Sequence, residues 1–433
     1  MQLLDDALVP VPVTLAQVLN DALIHRGTRE AYVGPGERCT WSEIAKESRR
    51  IAAALHANGI RRGDHVGLML GNESTWVAAF FACASIGAVT VPVNTRFKTE
   101  ELLFCLKQAD IKLLIHADQF LGIDFTALLR QVEPALDTAL PGPQLPGLVK
   151  VVNVGGSILP AGAISYAEFL GSGAGVSDAE LDQLAAHVTP HDVLLIQYTS
   201  GTTSFPKGVM LSHANMLGDA ACVARRMGVT TDDRYFSIRP FFHVAGSTLS
   251  VLVSLVSGCC LLSMPKFDVA LALDVLETER CTLTSGNDTI FLMLMGHEKF
   301  DAARLHLRGG WAAAGPEVMQ KIRDIMGVAH MCNAYGQSEA SPNVLLSDHD
   351  DAFELRRDGF MLSHPGVEVR IVDAETGAVN PPGQGQGEIQ VRGWNVMRGY
   401  YNMPEATSKA MSSDGWLRTG DMGEQRADGR MRM

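Results

Sequence analysis

Positive charge is the scarce commodity in this chain: 36 lysines and arginines stand against 48 aspartates and glutamates, a net charge of −12. A nucleic-acid partner is excluded by that balance, because neutralising a phosphate backbone requires clustered cations. A nucleotide is not excluded, since one local loop can bind it. Metal-type cysteine pairs are missing as well: the eight cysteines include the adjacent Cys259 and Cys260 but no Cys-x-x-Cys. Reduced, mostly buried thiols of a cytoplasmic enzyme are the expectation. No basic-then-apolar leader opens the chain, where Met1-Gln-Leu-Leu-Asp-Asp6 is acidic. Long apolar runs are also lacking. Residues 77–93 are broken by Ser85, Gly87 and Pro92, and residues 244–264 by several serines and Gly258. Neither makes a membrane span, so both are expected to be helix–turn–strand pieces of a soluble protein's core. There is no internal repeat and no low-complexity segment.

What is present is an ordinary globular composition, 46% apolar and 19% charged over 433 residues, enough for two or three packed subdomains. From residue 64 to 331 short apolar strands alternate with amphipathic helices. The strand at 65–70 leads to a helix capped within 72–74; the strand at 193–198 leads to a loop and a helix capped at Ser212. A helix over 244–257 stops at Gly258. Such alternation builds parallel sheets with helices on both faces, and ligands collect where loops leave the carboxyl ends of the strands. After Pro365 the writing changes to polar–apolar alternation with a Pro/Gly-rich turn at 381–387, which predicts antiparallel strands. The expected fold is therefore α/β: two αβ sandwich subdomains with parallel-rich sheets, at about 1–190 and 191–364, plus a small β-barrel subdomain at 365–433.

The densest chemical signal is Tyr198-Thr-Ser-Gly-Thr-Thr-Ser-Phe-Pro-Lys-Gly208, which follows an apolar strand. Small residues expose backbone N–H groups, hydroxyls add donors and Lys207 adds a mobile cation, the ingredients of a phosphate-wrapping loop. It is not a Walker loop: Pro206 occupies the place of a required glycine and Gly208 that of the magnesium-binding Ser or Thr. This disfavours a P-loop ATPase.

Two further segments follow in order, Asn333-Ala-Tyr-Gly-Gln-Ser-Glu339 and Trp416-Leu-Arg-Thr-Gly-Asp421. With the loop they make the chain, from about Leu15 to its end, resemble the adenylate-forming superfamily, which includes acyl- and aryl-CoA ligases, luciferases and adenylation domains of peptide synthetases. The resemblance implies an ATP-dependent acid–CoA ligase, which activates a carboxylic acid as acyl-AMP and transfers it to CoA; the bulk of Trp311 and the polarity of Asn287 and Asp288 narrow the expected acid to a small one, short, branched, hydroxylated or aromatic. It also implies that this chain is the large amino-terminal domain only, with the mobile carboxyl-terminal domain absent and turnover impaired. An adenylation enzyme that loads a carrier protein, and a catalytically silent nucleotide-binding fragment, are the competing expectations. A homodimer is left open.

Residue by residue, the resemblance assigns Thr199, Ser200, Gly201, Thr202, Thr203 and Lys207 to the β- and γ-phosphates, and Glu339 with Thr202 to Mg²⁺. Ala313, Ala314, Gly315, Asn333 and Tyr335 would surround adenine, with Ala334, Gly336 and Gln337 in the same motif. Ser338 would meet the α-phosphate and Asp421 the ribose hydroxyls. His243, in Phe241-Phe-His243-Val-Ala-Gly246, would touch the reacting carboxylate, making Lys207, Glu339, Thr202 and His243 the catalytic set. For the acyl group the expected contacts are His243, Asn287, Asp288 and Trp311. Two departures stand out: Ser204 where the loop has glycine, and Ser285-Gly-Asn-Asp288 where an apolar residue and proline are usual. Asp288 serves equally well as a cap for the helix that follows it.

Overall fold

The computed structural model of the protein describes residues 1–156, 158–199 and 206–433. Its frame is three main sheets, of nine, seven and four strands. In the seven-stranded sheet, Gly208–Ser212, Val193–Tyr198, Val89–Pro92, His65–Met69, Ile111–Ala117, Lys150–Val154 and Ala163–Ser165 lie side by side. All pairs are parallel except the hairpin that joins Val193–Tyr198 to Gly208–Ser212. The nine-stranded sheet is parallel through its centre, where Leu283–Asn287, Gly309–Ala313 and His330–Gly336 are adjacent. Beyond them Asn343–Leu346 and then Leu362–Ser363 continue that side antiparallel. Near-continuous apolar strands covered on both faces produce these parallel centres.

The sheets do not divide the chain at residue 190. Strands Glu30–Gly34 and Glu37–Thr40 belong to the nine-stranded sheet, where Tyr32 stands in register with Leu261. The hairpin at 193–212 belongs to the seven-stranded one. Apolar strands advertise burial, not their partners, so this exchange is not written in the local pattern. The β-rich subdomain is a four-stranded antiparallel sheet of Val367–Val372, Gln386–Gly393, Leu417–Gln425 and Met431–Arg432.

One buried cluster joins the two large sheets through two helices buried nearly all round, the apolar Ser74–Ser85 and the more polar His213–Arg226. Ser212 caps the second by bonding the Asn215 N–H, as expected. The first is not capped from 72–74: Glu73 occupies the cap position without a side-chain bond. Asn72 instead reaches across to the other sheet, accepting the Phe241 N–H at 2.8 Å and donating to Arg239 O at 3.0 Å and Ser263 Oγ at 2.9 Å.

The expected helix over 244–257 is interrupted. Single α-turns at Val244–Gly246 and Val253–Ser257 flank a π-helical stretch, Ser247–Leu252, and the whole ends at left-handed Gly258. A Cβ on Gly246 would lie 2.0 Å from Pro240 O, so only glycine allows the preceding loop to fold onto the helix start. Widened turns of this kind are frequent beside functional sites. All eight cysteines are free thiols, and seven are buried. Among the described residues no helix is long and apolar enough to cross a membrane.

Candidate functional site

Strand His330–Gly336 carries the expected motif to the carboxyl edge of the nine-stranded sheet, with a register irregularity between Tyr335 and Gly336. There the backbone is pressed so close to Pro342 that a Cβ on Gly336 would stand 1.9 Å from its carbonyl oxygen. The bend turns Tyr335 into the wall between two cavities.

The first cavity, of about 480 Å³, is bordered by Thr199, His243, Asn287, Trp311, Gln337, Ser338 and Glu339. The second, of about 450 Å³, is bordered by Asp288, Ala314, Gly315, Asn333 and Asp421. Ala313, Ala334, Tyr335 and Gly336 border both, so the two adjoin across one wall. Expected residues from six separate segments of the chain thus meet at one strand edge.

Tyr335 donates its hydroxyl hydrogen to Asp421 Oδ2 at 2.7 Å. Burial, and then the Asp421 carboxylate, raise the phenol's pKa far above the usual range, so it remains a donor. At the other end of the motif, the Tyr400 hydroxyl donates to Glu339 Oε1 at 2.8 Å, and the Lys207 ammonium lies 5.0 Å from the centre of the Tyr400 ring. The segment holding Tyr400 is zipped to the edge strand that follows Lys207, through Met210 N to Gly399 O at 3.0 Å and Tyr401 N to Gly208 O at 2.8 Å. Thr199 N donates to Lys207 O at 3.1 Å, closing the phosphate-type loop at its base. Ser200, Gly201, Thr202 and Thr203 lie outside the described residues.

His243 starts the short helical turn at the first cavity and accepts the Ala245 N–H on Nδ1 at 3.1 Å. The neutral ring therefore carries its hydrogen on Nε2. Surrounding protein, and then the Arg239 cation, lower its pKa, although the ring's exposure to the cavity screens the second effect. A neutral donor at this wall is the result.

Three expectations change. Asn333 keeps only its oxygen for a base edge: Nδ2 donates to Ala314 O at 3.0 Å and Arg356 O at 3.1 Å, while Oδ1 accepts from Ala334 N at 3.0 Å. Its nitrogen holds the Ala313–Gly315 backbone instead. Asp288 is not in the cavity of His243 and Trp311; it borders the Asp421 cavity and accepts the Gly315 N–H at 3.0 Å. Asn287, not Asp288, caps the helix, accepting the Ile290 N–H at 3.2 Å. Short polar side chains at strand ends are claimed first by the backbone beside them.

Trp311 is buried, borders the first cavity and donates its indole N–H to the Tyr235 hydroxyl at 2.9 Å. Three residues of this region were not singled out in the sequence. Tyr400 carries no motif. Asn72 reads as a helix cap, and Arg239 precedes the Phe241–Gly246 segment without belonging to it. A guanidinium just before a run of aromatics was the one available signal.

The family model of the AMP-binding enzymes matches residues 20–401. The chain belongs to the AMP-binding enzyme family. Among relatives, it is 35% identical over 416 residues to the 3-[(3aS,4S,7aS)-7a-methyl-1,5-dioxo-octahydro-1H-inden-4-yl]propanoyl:CoA ligase of Rhodococcus jostii, covering 95% of this chain and 77% of that protein. It is 31% identical over 424 residues to the mitochondrial medium-chain acyl-CoA ligase ACSF2 of Danio rerio, covering 94% and 69%. Among solved structures, the inhibitor-bound amino-terminal domain of FACL13 from Mycobacterium tuberculosis superposes with a TM-score of 0.80 at 26% identity, covering 97% of this chain and 98% of that one. This AMP-binding enzyme thus shares its architecture with the adenylate-forming ligases.

Proposed function

We propose that this AMP-binding enzyme is an ATP-dependent acid–CoA ligase acting on a small carboxylic acid. An acid oxygen attacks the α-phosphorus of ATP, the bond to the bridging oxygen breaks and pyrophosphate leaves. The CoA thiolate then attacks the acyl carbon and AMP departs. Both reactants of the first step are anions, so the site must bring preorganised cations and donors to them. The observation that carries this reading is the shared wall: Tyr335 separates a cavity with a carboxylate suited to ribose hydroxyls, Asp421, from one with Lys207 and His243 nearby.

In this reading adenine lies beside Tyr335 against the Ala313–Gly315 backbone that Asn333 and Asp288 hold in place. Asp421 accepts from the ribose, using the oxygen not engaged by Tyr335. Lys207 and the loop after Thr199 take the outer phosphates. Glu339 fits a hard cation, because its Oε2 has no hydrogen bond to a described residue while Tyr400 fixes Oε1. Mg²⁺ bound there supplies charge neutralisation to the phosphates. His243 donates Nε2–H to the acid.

The ligase relatives favour CoA over a carrier protein as acceptor. The test is a panel of short, branched, hydroxylated and aromatic acids with ATP and Mg²⁺, with AMP release read with and without CoA. Acid-dependent AMP release that requires CoA supports the ligase. Release that requires a phosphopantetheinyl carrier protein instead supports the carrier-loading alternative.

A further inference from the structure

The lining of the first cavity contains a cation without a counter-ion. Arg239 borders that cavity, and its guanidinium carbon lies 5.2 Å from the centre of the Trp311 ring. Its guanidinium makes no hydrogen bond or ion pair with any described residue, and its buried Nε has no partner. Glu339, the one carboxylate among the described lining residues, is held by Tyr400.

The other polar groups beneath this part of the cavity satisfy one another. Ser237 Oγ is 2.7 Å from Ser250 Oγ and 3.3 Å from Ser285 Oγ, and Trp311 Nε1 bonds Tyr235 Oη. Gln337 Nε2 in the same lining is a neutral donor without a partner, which leaves Arg239 as the charged donor that is open. It is also held firmly: Asn72 bonds its carbonyl oxygen and the Phe241 N–H two positions on. A guanidinium keeps its charge at any working pH, so partial burial without an anion is costly unless a ligand completes it. Stacking on an indole recovers only about 0.5–2 kcal/mol.

Position decides what Arg239 meets. Trp311 and Ala313 alternate along one strand and so share a face, separated by ~6–7 Å. Ala313 borders both cavities, whereas Trp311 borders only the first. Arg239 therefore lies on the Trp311 side of the first cavity, away from the nucleotide half against which the reacting carboxylate must lie, while its charge still reaches His243 between them.

We propose that Arg239 selects acids bearing a second oxygen acceptor, a carboxylate or a ketone, remote from the carboxylate that is activated. This inference rests on the ligase reading for its reaction but not for its binding test. The fork geometry of arginine favours two parallel bonds to a carboxylate and one or two to a carbonyl. A pocket built around such a donor rejects an acid that lacks the acceptor, because binding would seal the cation away unpaired.

The test compares glutarate, 4-oxopentanoate and pentanoate, which share a five-carbon chain, with the wild-type protein, Arg239→Met and Arg239→Lys. Binding in the presence of AMP is read by calorimetry and activation by ATP–pyrophosphate exchange. The expected wild-type order places one or both acceptor-bearing acids above pentanoate, by roughly a hundredfold or more in kcat/KM. Arg239→Met collapses that ratio and Arg239→Lys restores part of it; glutarate against 4-oxopentanoate tells carboxylate from ketone. Pentanoate equal to or better than both acids overturns the inference, and this comparison needs no variant. An equal loss for all three acids in Arg239→Met also overturns it, because Arg239 would then be holding the reacting carboxylate. Absence of exchange with every acid would count against the ligase reading, while the calorimetric order still decides the role of Arg239.

Discussion

Tyr335 and Asp421, 86 positions apart, are joined by a 2.7 Å hydrogen bond at the wall between the two cavities. The bond ties the nine-stranded sheet to the four-stranded one, and it fixes a carboxylate beside an aromatic face. Tyr335→Phe keeps the ring and removes the bond, so AMP binding is expected to weaken only a few-fold. Asp421→Ala removes the acceptor for both ribose hydroxyls and is expected to weaken AMP ten- to a hundredfold, on the order of 1.4–2.8 kcal/mol. Calorimetric titration of AMP separates the two, and the reverse ranking would remove Asp421 from the ribose role.

The Lys207–Tyr400–Glu339 series is expected to act on phosphates and metal rather than on the adenylate. Lys207→Ala should raise the KM for ATP far more than the Kd of a non-hydrolysable acyl-adenylate analogue, since its cation would face the departing phosphates. Tyr400→Phe frees Glu339 Oε1 and should change the Mg²⁺ concentration for half-maximal exchange at nearly constant AMP affinity. Equal losses for ATP and the analogue in Lys207→Ala would contradict the assignment.

Asn72 joins the two large sheets and is expected to matter twice. Asn72→Ala leaves the Phe241 N–H, the Arg239 carbonyl and Ser263 without their buried partner, a cost of about 2–4 kcal/mol in unfolding free energy. Urea denaturation measures it. The same variant should lose selectivity among acids before it loses AMP binding, since the released segment lies in the acyl half.

How much of this was legible in the sequence follows from how far each signal reaches. Lys207 sits in a segment whose composition alone suggests phosphate, whereas Tyr335, Glu339 and Asp421 took their base, metal and ribose roles from the resemblance of ordered motifs, and the convergence of all four follows once strand ends are aligned. Tyr400, Asn72 and Arg239 gain meaning only from partners in other parts of the chain, which no local pattern encodes. Asn333 and Asp288 looked like ligand-facing polar groups, yet nearby backbone C=O and N–H groups claimed the Asn333 nitrogen and the Asp288 carboxylate. The sheets were legible as parallel αβ layers, but the pairing of Tyr32 with Leu261 was not, because any apolar strand can pair with any other. The π-helical turn after Gly246 was also hidden, since its residues carry ordinary helical periodicity.

Acid should weaken the fold through buried histidines, His116 and His213 among them. His116 and His213 are almost fully buried, and burial lowers the pKa of each to about 4 from an ordinary 6.5. His213 accepts the Leu15 N–H on Nδ1 at 3.1 Å, a bond that its neutral form makes. Between pH 6.5 and 4 the unfolded chain takes up protons that the folded chain refuses, so stability falls as pH drops through that window. The slope approaches about 1.4 kcal/mol per pH unit for each histidine. Urea midpoints at pH 7, 5.5 and 4.5 should decline in that order, and His213→Asn should flatten the decline. A constant midpoint from pH 7 to 4.5 would remove both histidines from the acid sensitivity.

The central claim is that the two cavities flanking Tyr335 form one acyl-adenylate site. Its most direct test is calorimetric titration of AMP into protein already saturated with a non-hydrolysable acyl-adenylate analogue. The account predicts one analogue per chain and no remaining AMP heat. AMP that still binds with its original affinity beside the bound analogue would contradict it.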